Sequence, residues 1–290
     1  MGLAIKVNKT GGTAVYVNGV LQGNNKLDFI DTKLPYPFYD GCVVVYNNEL
    51  HMLGDGITTY NKKHYKFNGV TWEEVSTLPT ILQKGNAVIF NNEIHYFYSN
   101  YHCKWDGEEW TTLPNSPISM YNGCAVVYDG CIHIFGTDSG GEYDKHYKWD
   151  GSTWVSVSTT PYYMRYGCAV VYDNAIHALG TSGISDKRKH YKFDGTQWSS
   201  VSTLPYEFAE GCAIVKDNKI LILGGSISGN VPYVTNCYSW DGTQWTENEA
   251  LPLGVSQGGA VVLNNDVYCF CGSCAKERFF KLGSNDIYVK

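Results

Sequence analysis

Short apolar runs followed by turn pairs recur along the chain and predict an all-β fold. Cys42 to Tyr46 is apolar throughout, which is typical of a strand buried on both faces. A two-residue turn, Asn47-Asn48, separates it from a second, more mixed stretch, Glu49 to Leu53. Asn, Asp and Gly tolerate the positive φ of tight hairpin turns, so the pattern predicts an antiparallel hairpin. The turn recurs at Asn91-Asn92, Asp129-Gly130, Asp173-Asn174, Asp217-Asn218 and Asn264-Asn265.

Each hairpin belongs to a longer internal repeat. His146 to Trp154 reads His-Tyr-Lys-Trp-Asp-Gly-Ser-Thr-Trp. Close copies lie at His64 to Trp72, His102 to Trp110, His190 to Trp198 and Cys237 to Trp245, with a degenerate copy from Phe279 to Ile287. A glycine precedes the apolar run of every unit, at Gly41, Gly85, Gly123, Gly167, Gly211 and Gly258. The period of roughly 40 residues is typical of repeat architectures such as propellers.

Four short strands, here named A to D, can be placed in each unit. In the first, A is Cys42 to Tyr46, B is Glu49 to Leu53, C is His64 to Phe67, and D begins near Trp72. Four antiparallel strands recurring at this period favour a radial β-propeller. We expect residues 34–290 to form six full four-stranded blades. Residues 1–33, where positions 12 to 22 resemble a worn hairpin, are expected to form a short degenerate blade that closes the ring or attaches it to a partner. The expected count is seven blades, with six as the alternative.

The repeat resembles the kelch repeat, in which an apolar strand ending in Gly-Gly is followed by a Tyr and a Trp separated by six residues. That spacing is kept by Tyr65 with Trp72, Tyr147 with Trp154, Tyr191 with Trp198, and Tyr238 with Trp245, whereas the glycine pair is complete only at Gly224-Gly225. The resemblance covers residues 34–290 and implies a kelch-type β-propeller. The chain is also similar in style to kelch-like arrays of bacterial and bacteriophage surface or tail-associated proteins.

Charge and hydropathy exclude some classes of partner. The net charge is −6 and Lys and Arg are scattered, so nucleic acid is not an expected partner. No stretch is long and apolar enough for membrane insertion. The start, Met1 to Lys6, lacks the apolar run of a signal peptide. We expect synthesis in the cytoplasm without a signal peptide, and a place in a virion or cell-surface assembly.

The residue types that usually carry chemistry fall on equivalent repeat positions. Recurrence of this kind indicates packing between blades, so no catalytic residue, metal site or cofactor is predicted. The histidines lie on strand B (His51, His95, His133, His177) and strand C (His64, His102, His146, His190). All eight tryptophans likewise occupy two positions. Four cysteines, Cys42, Cys124, Cys168 and Cys212, follow the repeat glycine and are expected to be small buried residues of separate blades.

Two groups of residues, three cysteines near the C-terminus and the three arginines, do not follow the repeat and are candidates for chemistry. Cys269, Cys271 and Cys274 could bring three thiolates together, but no fourth zinc ligand lies nearby. The three arginines, Arg165, Arg188 and Arg278, stand in different units, whereas a sialidase clusters three arginines on its substrate. A carbohydrate-active propeller enzyme of sialidase or lyase type is therefore an alternative and not the prediction.

Function is expected on the end of the propeller that carries the B–C and D–A loops, because these loops vary between units. Tyr and Arg supply large contact areas with polar groups, which suits recognition of protein or sugar. We expect a non-enzymatic recognition module that binds a host-surface protein or glycan, centred on Tyr162 to Tyr166; the alternative is a structural subunit that contacts other proteins of a large assembly. The predicted binding face comprises Tyr36, Phe38, Tyr39, Met120, Tyr121, Tyr162, Tyr163, Arg165, Tyr166, Tyr206 and Phe208.

Overall fold

The fold is known from a computed structural model, and all its regular elements are β-strands. It describes residues 33–54, 62–80, 85–135, 144–181, 187–226, 234–273 and 277–282, together with the backbone of four short strands nearer the N-terminus. Within these residues no helix has the length and apolar character needed to span a membrane.

Six four-stranded antiparallel sheets, blades 1 to 6, follow one another along the chain. The N-terminal strands are β1 (Ile5–Val7), β2 (Thr13–Val17), β3 (Val20–Leu21) and β4 (Asp28–Phe29). Blade 1 contains β5 (Cys42–Tyr46), β6 (Glu49–Leu53), β7 (Lys63–Phe67) and β8 (Trp72–Thr77). Blade 2 contains β9 (Asn86–Phe90), β10 (Glu93–Tyr98), β11 (Tyr101–Trp105) and β12 (Trp110–Thr112). Blade 3 contains β13 (Cys124–Tyr128), β14 (Cys131–Phe135), β15 (Lys145–Trp149) and β16 (Trp154–Thr159).

Blades 4 to 6 repeat the same order of strands. Blade 4 contains β17 (Cys168–Tyr172), β18 (Ala175–Leu179), β19 (Lys189–Phe193) and β20 (Trp198–Thr203). Blade 5 contains β21 (Cys212–Lys216), β22 (Lys219–Leu223), β23 (Cys237–Trp240) and β24 (Trp245–Glu247). Blade 6 contains β25 (Gly259–Leu263), β26 (Asp266–Phe270) and β27 (Phe279–Leu282), and is completed by β4. The four-stranded blades predicted from the repeat are therefore confirmed.

The A strands form a closed ring. Strands β5, β9, β13, β17, β21 and β25 lie side by side in chain order, and β25 packs next to β5. The ring therefore has six blades, which was the alternative count. The expected seventh blade is not confirmed, because β1, β2 and β3 form a separate three-stranded sheet.

Strand β4 closes the ring by pairing with the last blade. Phe29 lies opposite Phe280, and Asp28 opposite Lys281, in an antiparallel pair. The outermost strand of blade 6 thus comes from the N-terminal segment. It pairs with the side of β27 that would otherwise be an unpaired sheet edge. In the degenerate repeat copy, Phe279 to Ile287, the position at which strand D begins in the other units is Ile287, which lies outside the described part of the chain.

The predicted hairpin turns are confirmed by backbone geometry. Asn47 and Asn48 have φ of 49° and 62°. The pair connects Tyr46 to Glu49, which lie opposite each other in the ladder. Positive φ at both central positions is the signature of a type I′ turn, which matches the twist of the flanking strands.

The hydrophobic core lies between the blades as six separate clusters, one at each blade-to-blade interface. The cluster between blades 2 and 3, for example, packs Phe90 and Phe97 against Ile132 and Trp149. All eight tryptophans belong to these clusters, as their recurrence predicted. Stability therefore comes from stacking each sheet on the next.

Truncating one of these tryptophans should loosen one interface. The Trp154 ring stands 5.5 Å from that of His102 and 5.3 Å from that of Trp149. Because Trp154 is half-buried, we expect Trp154→Ala to lower the free energy of unfolding by about 3 kcal/mol. Urea denaturation monitored by circular dichroism measures this loss. The neighbouring Val155→Ala is the control, since Val155 is 43% exposed and should cost less than about 0.5 kcal/mol. Equal losses would contradict the packing role.

Candidate functional site

The two ends of the propeller carry different sets of loops. Because each blade is antiparallel in the order A to D, the A–B and C–D turns lie at one end and the B–C and D–A loops at the other. The D–A loops lead from the outer strand of one blade to the repeat glycine of the next. They therefore reach the axis of the ring, where a ligand could meet several blades at once.

One position in each D–A loop is an apolar anchor beneath the surface. Five anchors are described, namely Phe38, Met120, Met164, Phe208 and Val255, and all have 0% exposure. They belong to the clusters between blades. Three of them, Phe38, Met120 and Phe208, were predicted as ligand contacts. Full burial removes their side chains from any ligand, so their role is packing.

Three of the predicted ligand contacts, Tyr36, Tyr162 and Tyr206, hold the D–A loops against the blades. Each hydroxyl donates a hydrogen bond to a main-chain carbonyl at the end of strand B. Tyr36 donates to Gly54, Tyr162 to Gly180 (3.4 Å) and Tyr206 to Gly224 (2.8 Å). Each ring also packs on a strand-C tyrosine, with centroids 5.3 to 5.7 Å apart. Burial raises the pKa of Tyr162 and Tyr206 well above the usual value. These rings fix the loop to its blade.

The residue before each repeat glycine forms a ring around the axis. Its backbone is left-handed in the five blades where this residue is described, with φ between 53° and 59° at Asp40, Asn122, Tyr166, Glu210 and Gln257. Backbone N–H groups connect them in sequence: Tyr166 to the carbonyl of Asn122 (3.1 Å), Glu210 to Tyr166 (2.8 Å), Gln257 to Glu210 (2.8 Å) and Asp40 to Gln257 (3.0 Å). The sixth position, Lys84, lies outside the described residues. We call the five described residues the axial ring.

A cavity of about 140 Å³ opens at the axial ring. It is lined by the five ring residues and by the repeat glycines of all six blades. Gly41 lets the D–A loop pack closely on its own blade: a Cβ on Gly41 would lie 2.6 Å from the Phe38 ring and 2.9 Å from the Leu53 carbonyl oxygen. We call this cavity the axial mouth.

The remaining predicted contacts, Tyr39, Tyr121, Tyr163, Arg165 and Tyr166, are half-buried at this end. The Arg165 guanidinium carbon lies 5.0 Å from the centre of the Tyr166 ring, a cation–π contact. The Thr181 hydroxyl donates to the carbonyls of Tyr163 (2.6 Å) and Arg165 (3.3 Å). The segment predicted as the centre of recognition is thus held rigidly next to the axial mouth.

The histidines form buried pairs within blades 1 to 4. A strand-B Nδ1 faces a strand-C Nε2 at 2.7 Å in His51–His64, 2.9 Å in His95–His102, and 2.8 Å in His133–His146 and His177–His190. Burial lowers the pKa to about 4 on strand B and to about 3 on strand C. All eight are therefore neutral at pH 7.

These pairs connect neighbouring blades. The second nitrogen of His64 lies 2.9 Å from the Ser76 hydroxyl, which also accepts a hydrogen bond of 2.9 Å from Trp110 of blade 2. His190, Ser202 and Trp245 repeat this arrangement between blades 4 and 5. The imidazoles are thus engaged in packing between sheets and away from the axial mouth.

The described cysteines are free thiols. Burial raises the pKa of Cys42 and Cys168 to about 12, so these thiols are unreactive at neutral pH. The Cys124 and Cys168 thiols donate to main-chain carbonyls of the next blade, at 3.4 Å to Gly167 and 2.9 Å to Gly211. Cys274 falls outside the described residues. Within the described chain no group of three or more His, Cys, Asp or Glu side chains is placed to hold a metal.

Sequence reasoning missed four of the five ring residues, because a polar residue that differs in every unit does not stand out. The available signal was position: Asp40, Asn122, Glu210 and Gln257 all directly precede a repeat glycine. Only Tyr166 was predicted.

Comparison with solved structures identifies the fold. YjhT has a structure similar to this chain, with a TM-score of 0.75, 15% sequence identity, and coverage of 89% of this chain and 98% of that chain. The shared feature is the fold alone. No family model and no curated protein sequence matches the chain. The kelch and bacteriophage resemblances therefore rest on the repeat motif.

Proposed function

We propose that this protein is a non-enzymatic recognition module that binds a host-surface protein or glycan through the end carrying the axial mouth. The proposed setting is a bacteriophage or bacterial surface assembly, which rests on the resemblance of the repeat to tail-associated arrays. Other subunits of that assembly would be its further partners.

One observation carries the recognition function. The backbone of the axial ring is the same in every described blade, with left-handed φ and ring hydrogen bonds. The side chains it presents are nevertheless an acid, an amide, a phenol, a second acid and a second amide. A repeated framework that supports non-repeated polar groups around a cavity is a typical arrangement for ligand specificity.

The state of the histidines supports a non-enzymatic role. A general base near neutral pH is most often a histidine that can reach the substrate. Here the eight histidines are neutral, at most 4% exposed and occupied in pairs between strands. Turnover of a glycan panel that is lost on changing Asp40 or Glu210 would instead favour a carbohydrate-active enzyme.

A second candidate function is that of a structural subunit attached through its N-terminal segment. The sheet formed by β1, β2 and β3, separate from the six blades, favours it. Such a sheet has edges that could pair with a strand of another protein. In that case deleting residues 1–24, upstream of β4, would abolish incorporation into the particle, whereas changes at the axial mouth would not affect the protein's role.

The binding face can be tested with substitutions at its predicted centre. Arg165→Ala and Tyr163→Ala should each weaken saturable binding of the full chain to host cells by at least tenfold, because rigid Arg and Tyr side chains dominate binding energy. Glu108→Ala is the control, since Glu108 is exposed on a C–D turn at the opposite end. Flow cytometry with labelled protein measures the affinity. Equal binding by all variants, or no saturable binding, would overturn the proposal.

A further inference from the structure

The axial mouth is small, rigid and polar, which limits what can enter it. Its volume of about 140 Å³ is well below the roughly 300–1,000 Å³ of pockets that enclose a whole drug-sized ligand. This space is too small for a folded protein surface and suits one protruding group of a larger ligand. The group must therefore be compact and richly hydrogen-bonding.

The ring residues form a continuous arc of polar groups. The backbone bonds give their order as Asn122, Tyr166, Glu210, Gln257 and Asp40. An amide and a phenol thus lie on one side of the Glu210 carboxylate, and a second amide separates it from the Asp40 carboxylate. Carboxylates accept hydrogen bonds, whereas amides and phenols both donate and accept.

The walls below the ring add main-chain groups of both kinds. Strand A is the edge strand of every blade, so the N–H and C=O groups on its free side face the axis. The six repeat glycines bring this backbone to the cavity without side chains between.

This mixture favours hydroxyl groups over ions. A carboxylate or sulfate ligand only accepts hydrogen bonds and would face two carboxylates, Asp40 and Glu210, against the one guanidinium of Arg165 among the described residues beside the mouth. An ammonium ligand only donates hydrogen bonds, so it could not bond to the amide N–H groups of Asn122 and Gln257. A hydroxyl donates one bond and accepts others. Adjacent hydroxyls can bind one carboxylate with two bonds.

From this chemistry we infer that the axial mouth binds one uncharged sugar residue at the exposed end of a glycan. The inference rests on the proposed recognition function and specifies its ligand. Glu210 and Asp40 accept hydrogen bonds from ring hydroxyls, Gln257 and Asn122 bond to further hydroxyls, and the Tyr166 phenol closes the arc.

Titration calorimetry of the full chain with the methyl glycosides of glucose, galactose, mannose and N-acetylglucosamine tests the inference. N-acetylneuraminic acid and glucuronic acid are the anionic comparisons. We expect saturable binding of at least one neutral glycoside and at least tenfold weaker binding of both acids. Asp40→Asn and Glu210→Gln should each weaken the neutral ligand tenfold or more, because charge-assisted bonds become neutral ones.

Both substitutions keep side-chain shape, and Asn tolerates the φ of 57° at position 40, so folding should persist; thermal melting checks this. Glu108→Gln at the opposite end is the matched control.

Absence of binding by all neutral glycosides, preference for the acids, or unchanged affinity in both ring variants would overturn the inference. If host cells still bind wild-type and Asp40→Asn chains equally, the recognition function stands and the sugar site is wrong. If no host surface binds the wild-type chain, the proposed function itself fails.

Discussion

Acidification from pH 7 to about pH 5.5 is expected to unfold this protein cooperatively. Burial lowers the pKa of the paired histidines to about 4 on strand B and about 3 on strand C, from 6.5 in an exposed chain. Below pH 6.5 the histidines of the unfolded chain therefore bind protons, whereas the buried histidines of the folded chain remain neutral. Stability contributed by neutral burial is complete above pH 6.5 and falls continuously as the pH drops toward the folded values.

The size of the effect follows from the number of histidines. One pH unit below 6.5, each buried histidine costs about 1.4 kcal/mol of stability. Eight of them cost about 11 kcal/mol, which is comparable with the entire stability of a typical domain. The charged groups facing the strand-B histidines are of both signs and partly cancel: Glu49, Lys66, Glu93, Lys104, Asp129, Lys148, Asp173 and Lys192.

Tryptophan fluorescence and far-ultraviolet circular dichroism followed against pH measure the transition. Blade 5 provides a matched control, because Leu221 and Cys237 occupy the positions of a histidine pair there. Replacing His177 by Leu and His190 by Cys should move the acid midpoint to lower pH. A transition that occurs only below pH 4, where carboxylates titrate, would show that the pairs do not control acid stability.

The second large effect is expected from Gly180→Ala. Gly180 ends strand B of blade 4 with a φ of 68°, and an added Cβ would lie 2.1 Å from the carbonyl oxygen of Phe208. The loop that contains Phe208 leads to the next blade and has a fully buried anchor, so it cannot move away freely. We expect a loss of more than about 4 kcal/mol, at the exceptional end for single substitutions.

Gly130→Ala isolates the cause of this loss. Gly130 has the same φ of 68° but nothing within 4 Å of the added Cβ. It should cost only about 1–2 kcal/mol, the penalty for a left-handed alanine. Urea midpoints of both variants give the comparison. Similar losses in the two variants would mean that backbone conformation, and not close contact between blades, explains why Gly180 is a glycine.

The sequence predicted the elements governed by local rules. The turn at Asn47-Asn48 and the A and B strands beside it follow from positive-φ residues and from an apolar run, and both act over a few residues. The tryptophans were assigned to packing because they recur, and each lies between blades. Recurrence of a residue type indicates a packing role when the equivalent position is buried in the same way in every blade.

Features set by distant contacts were not predictable in this way. Strand β4 pairs only Asp28 and Phe29 with residues near the other end of the chain, and two residues carry no periodicity. The axial ring is built from backbone bonds between blades, and several types of side chain are compatible with them at Asp40 or Glu210. Because the side chains of the ring differ from blade to blade, repeat analysis does not detect the positions that we propose to bind the ligand.

The pairing of β4 with β27 also constrains how the chain reaches its native state. During synthesis β4 leaves the ribosome long before β27. Its pairing partner is therefore absent until blades 1 to 5 have been synthesised. Joining segments so distant in sequence carries a large loop-closure entropy and is slow. We therefore expect closure of the ring to be the last step of folding, and an open ring with two exposed blade faces to be prone to misassembly with other nascent chains.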